Sequence, residues 1–533
     1  MDRPWMQHVA EGNPKHIEIP NLSLTQLLDE AIATYPKHTA MTFFKNTYTY
    51  TDLDEKIKQT ACALTEKGVQ KGDRVALMLP NCPQYPISFY GALHCGATIV
   101  QVNPMYQVSE LIHILNDSGT KVLIILDKLL PLFESIRKQT PVEKVIAVSI
   151  ESSSMPNELV PQAESALPDV DINPTEDVAV LQYTGGTTGT PKGAMLTHFN
   201  IVANTLQSAA TSFVRTNFGK ERVLTAIPLF HVYGMTSAMC VTFHIGGNLI
   251  LVPRFDVEQL VSIIEKSKPT SLPGVPTMYI ALVNYYKTKK FDLSCLNLCS
   301  SGSAPLPLEI LNRFNELSGT TVAEGYGLSE ASPVTHRNPV RGLQKEGSIG
   351  IPIPNTDAKI VDVATGEHTL PYGEVGELII KGPQIMKGYW NQPEETEHTI
   401  RNGWLYTGDL ATMDADGFFY IVGRKKEMII ASGYNVYPIE VENVIYTHPA
   451  VLEAAVFGVP DEYRGETIRA VVALKKDCTL TEEELLAHCR SNLSAYKIPE
   501  DVIFVEELPK TAVGKILKRT LQEQFTTVNS KTK

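Results

Sequence analysis

The hydrophobic and polar positions of the first 150 residues alternate between helical and extended spacing. Apolar residues recur at helical spacing over residues 22–35 and stop at Pro36, and the same spacing predicts helices at 52–67, 84–94 and 108–117. Strands are predicted for the short apolar runs between them, at 41–44, 48–50, 74–79, 97–102, 121–126 and 145–150. This alternation predicts a doubly wound α/β region with a largely parallel sheet.

A second α/β region follows a proline-rich connection. Residues 151–175 contain Ser-Ser-Ser, several acidic residues and four prolines, which is typical of a link between subdomains. Beyond this link we expect a region that ends near residue 340, with strands at 178–182, 222–227, 248–252 and 271–272.

The pattern changes once more after residue 347. Short strands between Gly, Pro and Asp turns are predicted at 358–363, 376–381 and 417–422, followed after residue 426 by a compact α+β unit. That unit contains helices at 438–447 and 481–493 and strands near 453–457 and 468–474, and Thr481 with Glu484 forms a capping box. We therefore expect an α/β fold: residues 1–425 form a large N-terminal domain of two α/β subdomains and a small β-rich subdomain, and residues 426–533 form a small α+β domain.

A glycine- and hydroxyl-rich segment directly follows the predicted strand at 178–182. Its glycines allow the backbone to approach a ligand closely, its threonines add hydroxyls, and Lys192 adds a mobile positive charge. A loop of this kind suits a polyphosphate, because successive N–H groups form an anion nest. The residues of this predicted site are Tyr183, Thr184, Gly185, Gly186, Thr187, Thr188, Gly189, Thr190, Pro191 and Lys192.

The segment differs from the Walker A phosphate loop. Pro191 rather than Gly precedes the lysine, and Gly193 rather than Ser or Thr follows it. Because Pro191 has no N–H and disfavours helix at Thr190, Lys192 does not open a helix beneath the phosphates. A flexible surface loop is the remaining alternative for the segment taken alone.

Length, charge and cysteine content narrow the class of protein. A chain of 533 residues is too long for one core, and its net charge of −12 argues against a nucleic-acid partner. The eight cysteines include no C-x-x-C pair, which disfavours a zinc site and fits a reducing cytoplasm. We find no spanning apolar run and no secretory signal; a transient membrane contact and a homodimer stay open.

Seven motifs in order make the chain resemble the acyl-adenylate-forming superfamily, which includes acyl-CoA synthetases, peptide-synthetase adenylation domains and firefly-type luciferases. The resemblance covers almost the whole chain and is strongest to bacterial medium- and long-chain fatty acid–CoA ligases. Besides Tyr183–Ala194, the motifs are Pro228–His231, Ser301–Pro305, Glu324–Glu330, Tyr406–Asp409, Gly423–Glu427 and Pro509–Lys515.

The resemblance implies that the N-terminal motifs bind ATP and Mg²⁺. It makes Glu330 the metal ligand, with Thr187 as a helper and Ser329 near the α-phosphate. A single carboxylate with a neighbouring hydroxyl suits Mg²⁺, which keeps most of its waters. Tyr326 is expected to stack on adenine against the backbone of residues 302–304. The further nucleotide-binding positions implied here are Gly302, Ser303, Ala304, Glu324, Gly325 and Gly327.

The later motifs imply a ribose contact, a catalytic lysine and a hinge. Asp409 would accept both ribose hydroxyls, with Arg424 adding a ribose or phosphate contact. Lys515 would bridge the substrate carboxylate and the α-phosphate, a role suited to a point charge on a flexible stem. Lys426 matches the hinge of a mobile C-terminal domain. Gly433 and Tyr434 would line a second arrangement in which coenzyme A forms the thioester.

The resemblance also implies the substrate class. His231 is expected to line the acid pocket, although a satisfied core histidine is the alternative, and the uncharged segment 232–240 is able to wall a hydrocarbon tunnel. The expected function is ATP-dependent fatty acid–CoA ligation through acyl-AMP. An aryl- or coumarate-type ligase and, more remotely, a luciferase-like oxygenase or a pseudo-enzyme that only binds nucleotide or acyl groups remain as alternatives.

Overall fold

The computed structural model describes residues 3–151, 155–162, 166–184, 190–431, 434–461, 465–511 and 514–526. The chain divides into two compact units. Unit 1 contains Met1–Asp357 and Ile380–Leu405, and unit 2 contains Ala358–Ile379 and Tyr406–Lys533. The boundary at residue 426 was predicted for a C-terminal domain that rotates as a body. Such rotation is a different property from the division into compact units, so this boundary stays a prediction.

A nine-stranded sheet forms one half of unit 1. Its interior strands are parallel, and an antiparallel hairpin closes each edge, the one near the N-terminus and the one that follows Val322–Gly327. In spatial order the strands are Ile351–Pro352, Val334–Arg337, Val322–Gly327, Leu298–Ser301, Ser271–Gly274, Arg222–Thr225, Asn248–Leu251, Thr39–Phe43 and Asn46–Thr49.

A seven-stranded sheet forms the other half of unit 1. Five parallel strands are followed at one side by two antiparallel ones, the second of which is contributed by a segment much later in the chain. In spatial order the strands are Gly388–Tyr389, Lys192–Thr197, Val178–Thr184, Thr98–Gln101, Arg74–Met78, Val122–Leu126 and Lys144–Val148. Their central members are buried on both faces, which explains their near-continuous apolar sequences.

The helices of unit 1 pack against these sheets and enclose two clusters of buried apolar side chains. Reciprocal side-chain caps at Ser23, Thr49 and Thr197, for example, satisfy N–H groups that a helix leaves free. The segment 233–240 is a π-helix. The helices are Leu24–Thr34, Tyr50–Glu66, Gln84–His94, Val108–Ser118, Leu130–Ile136, His198–Thr211, Tyr233–Cys240, Val241–His244, Val257–Ser267, Pro276–Thr288, Leu308–Ser318 and Pro393–Thr399.

Two further groups of strands lie mostly in unit 2. The first includes Asp357–Val361, Gly376–Lys381, Trp404–Met413 and Phe419–Arg424. The second is a five-stranded sheet that forms its own buried clusters with the helices Pro438–Tyr446, Glu482–Asn492 and Lys518–Phe525. Its strands are Tyr434–Val436, Ile429–Ala431, Gly465–Leu474, Val451–Asp461 and Asp501–Val505.

The predicted α/β class and most of the predicted elements are confirmed. Some predicted elements end at other residues: Tyr50 and Thr51 belong to a helix because Thr49 and Asp52 cap it there, so the predicted strand at 48–50 ends at Thr49. The strand predicted at 417–422 lies at Phe419–Arg424, after a turn in which Gly417 adopts a φ of 84°. The predicted capping box of Thr481 and Glu484 is present, with the Glu484 N–H donating to Thr481 Oγ1 over 3.3 Å.

Candidate active site

The two ends of the glycine-rich segment lie side by side in unit 1. Thr184 ends one strand and Lys192 begins the next, and the two residues pair across an antiparallel ladder. Gly185, Gly186, Thr187, Thr188 and Gly189 lie outside the described residues. The prediction that Lys192 does not begin a helix is confirmed, since it opens the strand Lys192–Thr197.

Tyr183 anchors the base of this segment. Its hydroxyl donates to Asp117 Oδ2 over 2.6 Å, and its ring meets the edge of His113, whose Nε2 lies 3.0 Å from the Pro191 carbonyl oxygen. Burial, reinforced by the Asp117 carboxylate, raises the pKa of Tyr183. A Cβ at Gly193 would lie 3.1 Å from the Tyr183 ring, so a larger residue there would press on the ring. These contacts fix the backbone from which the segment leaves.

Lys192 and Glu330 are brought together by a tyrosine that the sequence analysis did not single out. Lys192 Nζ forms an ion pair with Glu395 and lies 5.5 Å from the centroid of the Tyr389 ring. The Tyr389 hydroxyl donates to Glu330 Oε1 over 2.8 Å, and the Glu330 carbonyl oxygen accepts from the Met386 N–H. A cation from the glycine-rich segment and a carboxylate from a distant motif thus share one neighbour.

The predicted adenine-binding residues lie at the carboxyl ends of two neighbouring parallel strands. Ser301 pairs with Glu324, so residues 302–304, which follow one strand, and residues 325–327, which end the next, lie at the same edge of the nine-stranded sheet. This edge is where open α/β sheets bind ligands. Burial raises the pKa of Glu324, whose Oε1 accepts from the Leu306 N–H over 3.2 Å.

Backbone constraints shape the turn that carries Glu330. A Cβ at Gly327 would lie 2.2 Å from the Pro333 carbonyl oxygen, so this position requires glycine. Ser329 and Glu330 then form a single 3₁₀ turn, Ser329–Ala331. Tyr326 packs edge-on to His336, with ring centroids 6.0 Å apart.

His231 lies just before the π-helix. Its Nδ1 accepts a hydrogen bond from the Tyr233 backbone N–H over 3.2 Å. A Cβ at Gly234 would lie 2.0 Å from the Pro228 carbonyl oxygen, so glycine allows the helix to start against this motif. The Tyr233 hydroxyl lies 3.2 Å from Ser300 Oγ, on the strand that leads to residues 302–304. The apolar segment after His231 therefore reaches the same sheet edge.

Asp409 and Arg424 come together in unit 2. They are register partners on the strands Trp404–Met413 and Phe419–Arg424, and Arg424 Nε lies 3.2 Å from Asp409 Oδ1. Glu377, another residue that the sequence analysis did not identify, accepts from the Gly408 N–H over 3.1 Å and pairs with Lys425 over 3.0 Å. The ribose-binding carboxylate predicted from the sequence is thus held in a network of charges.

Lys515 belongs to the same network. Enclosure by the surrounding atoms and the charge of Arg424 together lower the pKa of its ammonium to about 8, and the Asp409 and Glu427 carboxylates oppose this shift. Its own N–H donates to Thr511 Oγ1 over 3.1 Å, which orders the segment that carries it. A lysine that titrates near neutral pH is typical of functional sites.

The two remaining predicted positions of unit 2 lie further along the chain. Lys426 is exposed and occupies the short 3₁₀ turn Lys425–Glu427. Tyr434 is also exposed, and its ring stacks on Tyr496 with centroids 4.7 Å apart. Gly433 lies outside the described residues.

Several residues that support the site were missed by sequence reasoning. Trp390 donates from Nε1 to the Asp117 carbonyl oxygen over 3.0 Å, and its N–H donates to the Gly193 carbonyl oxygen over 2.8 Å. A signal was present, because Gly388-Tyr-Trp390 places two aromatic residues after a glycine within a polar stretch. Only the long-range pairing of this stretch with Lys192–Thr197 shows its role.

Two structural absences apply to the described part of the chain. Over the ranges given above, no group of three or more His, Cys, Asp or Glu side chains is arranged to hold a metal ion. Over the same ranges, no helix combines the length and apolar character that crossing a membrane requires.

Comparison with known proteins identifies the family of the chain. Residues 28–390 match the family described as AMP-binding enzyme, and residues 440–515 match the AMP-binding enzyme C-terminal domain. The chain therefore belongs to the AMP-binding enzyme family.

Relatives and solved structures extend this likeness over nearly the full length. The chain is 46% identical to a long-chain-fatty-acid–CoA ligase of Bacillus subtilis (strain 168), over 98% of each chain. It is 37% identical to a feruloyl-CoA synthase of an Amycolatopsis species, over 92% of this chain and 96% of that one. The crystal structure of ATP-bound MatB from Rhodopseudomonas palustris is 29% identical and superposes with a TM-score of 0.86, covering 95% of this chain and all of the other.

Proposed function

We propose that this chain is an ATP-dependent ligase that joins a fatty acid to coenzyme A through an acyl-AMP intermediate. The observation that carries the proposal is the grouping of Lys192, Tyr389 and Glu330 at the end of the glycine- and threonine-rich segment. A cation and a carboxylate that share one neighbouring side chain suit a nucleoside triphosphate with its divalent cation. The similarity to a long-chain-fatty-acid–CoA ligase supports the choice of acid.

The first half-reaction is adenylation. A carboxylate oxygen of the acid attacks the α-phosphorus of ATP, a new P–O bond forms, and the bond to the β-phosphate breaks as pyrophosphate leaves. The glycine-rich segment and Lys192 hold the departing phosphates, and Ser329 lies on the turn expected near the α-phosphate. Tyr326 stacks on adenine, and Asp409 accepts the ribose hydroxyls with Arg424 beside it. Holding both anions in place supplies much of the catalysis.

The residues around Glu330 fit Mg²⁺. Glu330 offers a carboxylate whose only protein hydrogen-bond donor in the described chain is the Tyr389 hydroxyl, at Oε1. Such a site suits Mg²⁺, which keeps several waters and needs one or two protein oxygens. Glu330 would hold the ion, with Thr187 as a further candidate, and bound Mg²⁺ would offset negative charge on the phosphates.

Lys515 is the residue we assign to the chemistry. Its ammonium would contact the carboxylate and the α-phosphate, and so stabilise the negative charge that moves between them. The charged pair of Asp409 and Arg424 next to Lys515 supports this role, because it places the lysine among residues assigned to the nucleotide.

The second half-reaction forms the thioester. The sulfur of coenzyme A attacks the acyl carbon, the bond to the AMP oxygen breaks, and the thiol proton is lost as AMP leaves. We propose that the C-terminal domain turns about Lys426 between the two steps. Gly433 and Tyr434 would then face the incoming thiol.

An aryl acid is the second candidate substrate. The likeness to a feruloyl-CoA synthase favours it, and the aromatic ring of Tyr233 next to His231 would suit a flat acid.

All eight cysteines lie in the described chain as free thiols, which supports a reducing, cytoplasmic setting. A homodimer stays a prediction.

The test is ATP–pyrophosphate exchange with a panel of acids. Exchange should require an added carboxylic acid, and fatty acids from C4 to C18 should then give coenzyme A thioesters. Lys515→Ala should lose about 10²–10³-fold in exchange, the size expected for one charged transition-state contact. Lys510→Ala is the matched control, because Lys510 pairs with Glu453 away from this network.

Three outcomes would contradict parts of the proposal. Full exchange in Lys515→Ala would remove the catalytic role, and thioesters from cinnamates alone would replace the fatty acid by an aryl acid. Exchange without any acid-dependent thioester would leave a protein that only activates or binds its ligands.

A further inference from the structure

The segment that leads into His231 is irregular although it lies inside unit 1. The strand Arg222–Thr225 ends before it, and residues 226–231 are neither helix nor strand. Its buried apolar residues are Ala226, Ile227 and Leu229. Backbone N–H and C=O groups in such a segment lie outside any ladder and, away from water, need other partners. Those partners therefore determine where the segment, and the histidine at its end, comes to lie.

Asn81 supplies three of these contacts from the other half of unit 1. It follows the strand Arg74–Met78 by three residues, and it is buried. Its Nδ2 donates to the carbonyl oxygens of Thr225 and Ile227 over 3.1 and 2.9 Å. Its Oδ1 accepts from the Leu229 N–H over 2.8 Å. One side-chain amide thus uses its nitrogen and its oxygen on a single stretch of backbone.

Gln101 reaches the same stretch from the neighbouring strand. It ends the strand Thr98–Gln101, which pairs in parallel with Arg74–Met78, and it is buried. An amide is oriented by the hydrogen bonds around it. In the orientation that satisfies them, Gln101 Nε2 donates to the carbonyl oxygens of Leu229, over 3.0 Å, and of Phe230. Two adjacent strands thus each direct a buried amide to residues 225–230.

The held stretch is continuous with His231 and the π-helix. The His231 N–H donates to the Pro228 carbonyl oxygen over 3.2 Å, and the His231 carbonyl oxygen accepts from the Met235 N–H over 2.9 Å. Tyr233, whose N–H donates to the His231 ring, lies beside Ser300 on the strand that leads to the proposed adenine-binding residues. A shift of residues 225–230 would therefore move the histidine and the first helical turn together.

We propose that Asn81 and Gln101 are positioning residues for the acid substrate. They hold residues 225–230 so that His231 and the start of the π-helix form the carboxyl end of the acid pocket, next to the nucleotide. Each acts through the backbone that it holds. An uncharged amide suits this task because it satisfies buried backbone groups without burying a charge. The inference rests on the proposed function, in which His231 lines the acid pocket, and it adds the residues that place His231.

The experiment measures ATP–pyrophosphate exchange with saturated fatty acids from C8 to C16, varying the acid and ATP in turn. Asn81→Asp keeps the shape of the side chain but turns an oxygen toward two carbonyl oxygens. It should raise KM for the acid by about tenfold, the size expected for one lost buried hydrogen bond, and leave KM for ATP within about twofold of the wild type.

Two milder variants and the series of chain lengths sharpen the result. Asn81→Ser shortens the side chain, and Gln101→Met removes the other amide at similar volume. Both should give smaller rises in KM for the acid, and they decide the matter if Asn81→Asp does not fold. Because the carboxyl group is common to all the acids, the factor should be the same from C8 to C16.

Asn204→Ser is the matched control. Asn204 is also buried in unit 1, and it holds backbone with both ends of its amide. Its Nδ2 donates to the Val334 carbonyl oxygen over 2.7 Å, and its Oδ1 accepts from the Val334 N–H over 3.0 Å. The control should lower the melting temperature as the Asn81 variants do, without raising KM for the acid relative to KM for ATP.

The outcomes separate this inference from the proposed function. Equal rises in both KM values, or a lower melting temperature with unchanged kinetics, would make the two amides structural only while leaving the ligase intact. A loss that grows with chain length would also overturn the inference, because the segment would then act on the hydrocarbon chain rather than the carboxyl group. A wild type that activates no carboxylic acid contradicts the ligase itself and removes the basis of both assignments.

Discussion

The lowered pKa of Lys515 leads to a pH dependence that few lysines would give. An ordinary lysine has a pKa of 10.5, whereas enclosure and the Arg424 charge bring that of Lys515 to about 8. The ammonium is the form that stabilises negative charge, so the active form is lost as pH rises through about 8. About nine-tenths of Lys515 is protonated at pH 7 and about one-tenth at pH 9, so adenylation should fall by about tenfold between them.

The assay is ATP–pyrophosphate exchange at limiting substrate between pH 6.5 and 10. Leaving out coenzyme A removes its thiol from the titration, and kcat/KM then reports the ionisation of the free enzyme. At saturating ATP the bound phosphates should favour the ammonium form of Lys515. The fall of kcat with rising pH, the alkaline limb of the pH profile, should therefore lie at higher pH. Arg424→Gln removes a cation that lowers the pKa of Lys515, and the limb should move to higher pH even if the overall rate drops.

Lys515→Arg and Lys510→Arg provide the comparison. Arginine stays protonated throughout this range, so Lys515→Arg should be slower but flat above pH 8. Lys510→Arg should keep the wild-type limb, because Lys510 pairs with Glu453. A wild type that stays flat from pH 7 to 9.5, or a Lys515→Arg variant with an unchanged limb, would refute the assignment.

Two further changes test the supporting structure. Tyr389→Phe removes the hydrogen-bond donor to Glu330 and should weaken Mg·ATP binding by about tenfold, as measured by calorimetry. Substitution of the exposed Tyr372 by Phe serves as the control. Equal Mg·ATP affinities of the wild type and Tyr389→Phe would show that the Tyr389 hydroxyl is dispensable. Thr481→Ala removes the N-cap of the helix Glu482–Asn492 and should lower the free energy of unfolding, measured in urea, by about 1 kcal/mol. Thr481→Ser keeps the hydroxyl and should not lower it. Equal losses in both variants would exclude a stabilising role for the cap.

Local patterns predicted most of the fold because they depend on neighbours in the chain. The helix at 84–94 and the strand at 376–381 were expected at the bounds observed, since the apolar residues that each element buries follow one another in the sequence. The π-helix at Tyr233–Cys240 was not predicted, because it depends on how the Gly234 backbone meets Pro228. Sequence spacing alone does not contain that contact.

The same distinction holds for the site. Lys515, Asp409 and Arg424 were predicted from motifs, yet the proximity that lowers the pKa of Lys515 could only come from the structure. Tyr389 was missed because its role depends on pairing with a strand nearly 200 residues earlier.

The late strand Gly388–Tyr389 has a consequence for how the protein is made. It covers the edge of Lys192–Thr197, and its own segment supplies the partner of Lys192, Glu395. On the ribosome roughly 200 residues separate the two strands, which corresponds to about 10–40 s of synthesis. Throughout that interval the earlier strand presents unpaired N–H and C=O groups at a sheet edge. Such an edge is prone to aggregation, and chaperone binding would protect it. The end of unit 1 that we propose to bind the phosphates is thus among the last parts of unit 1 to close during translation.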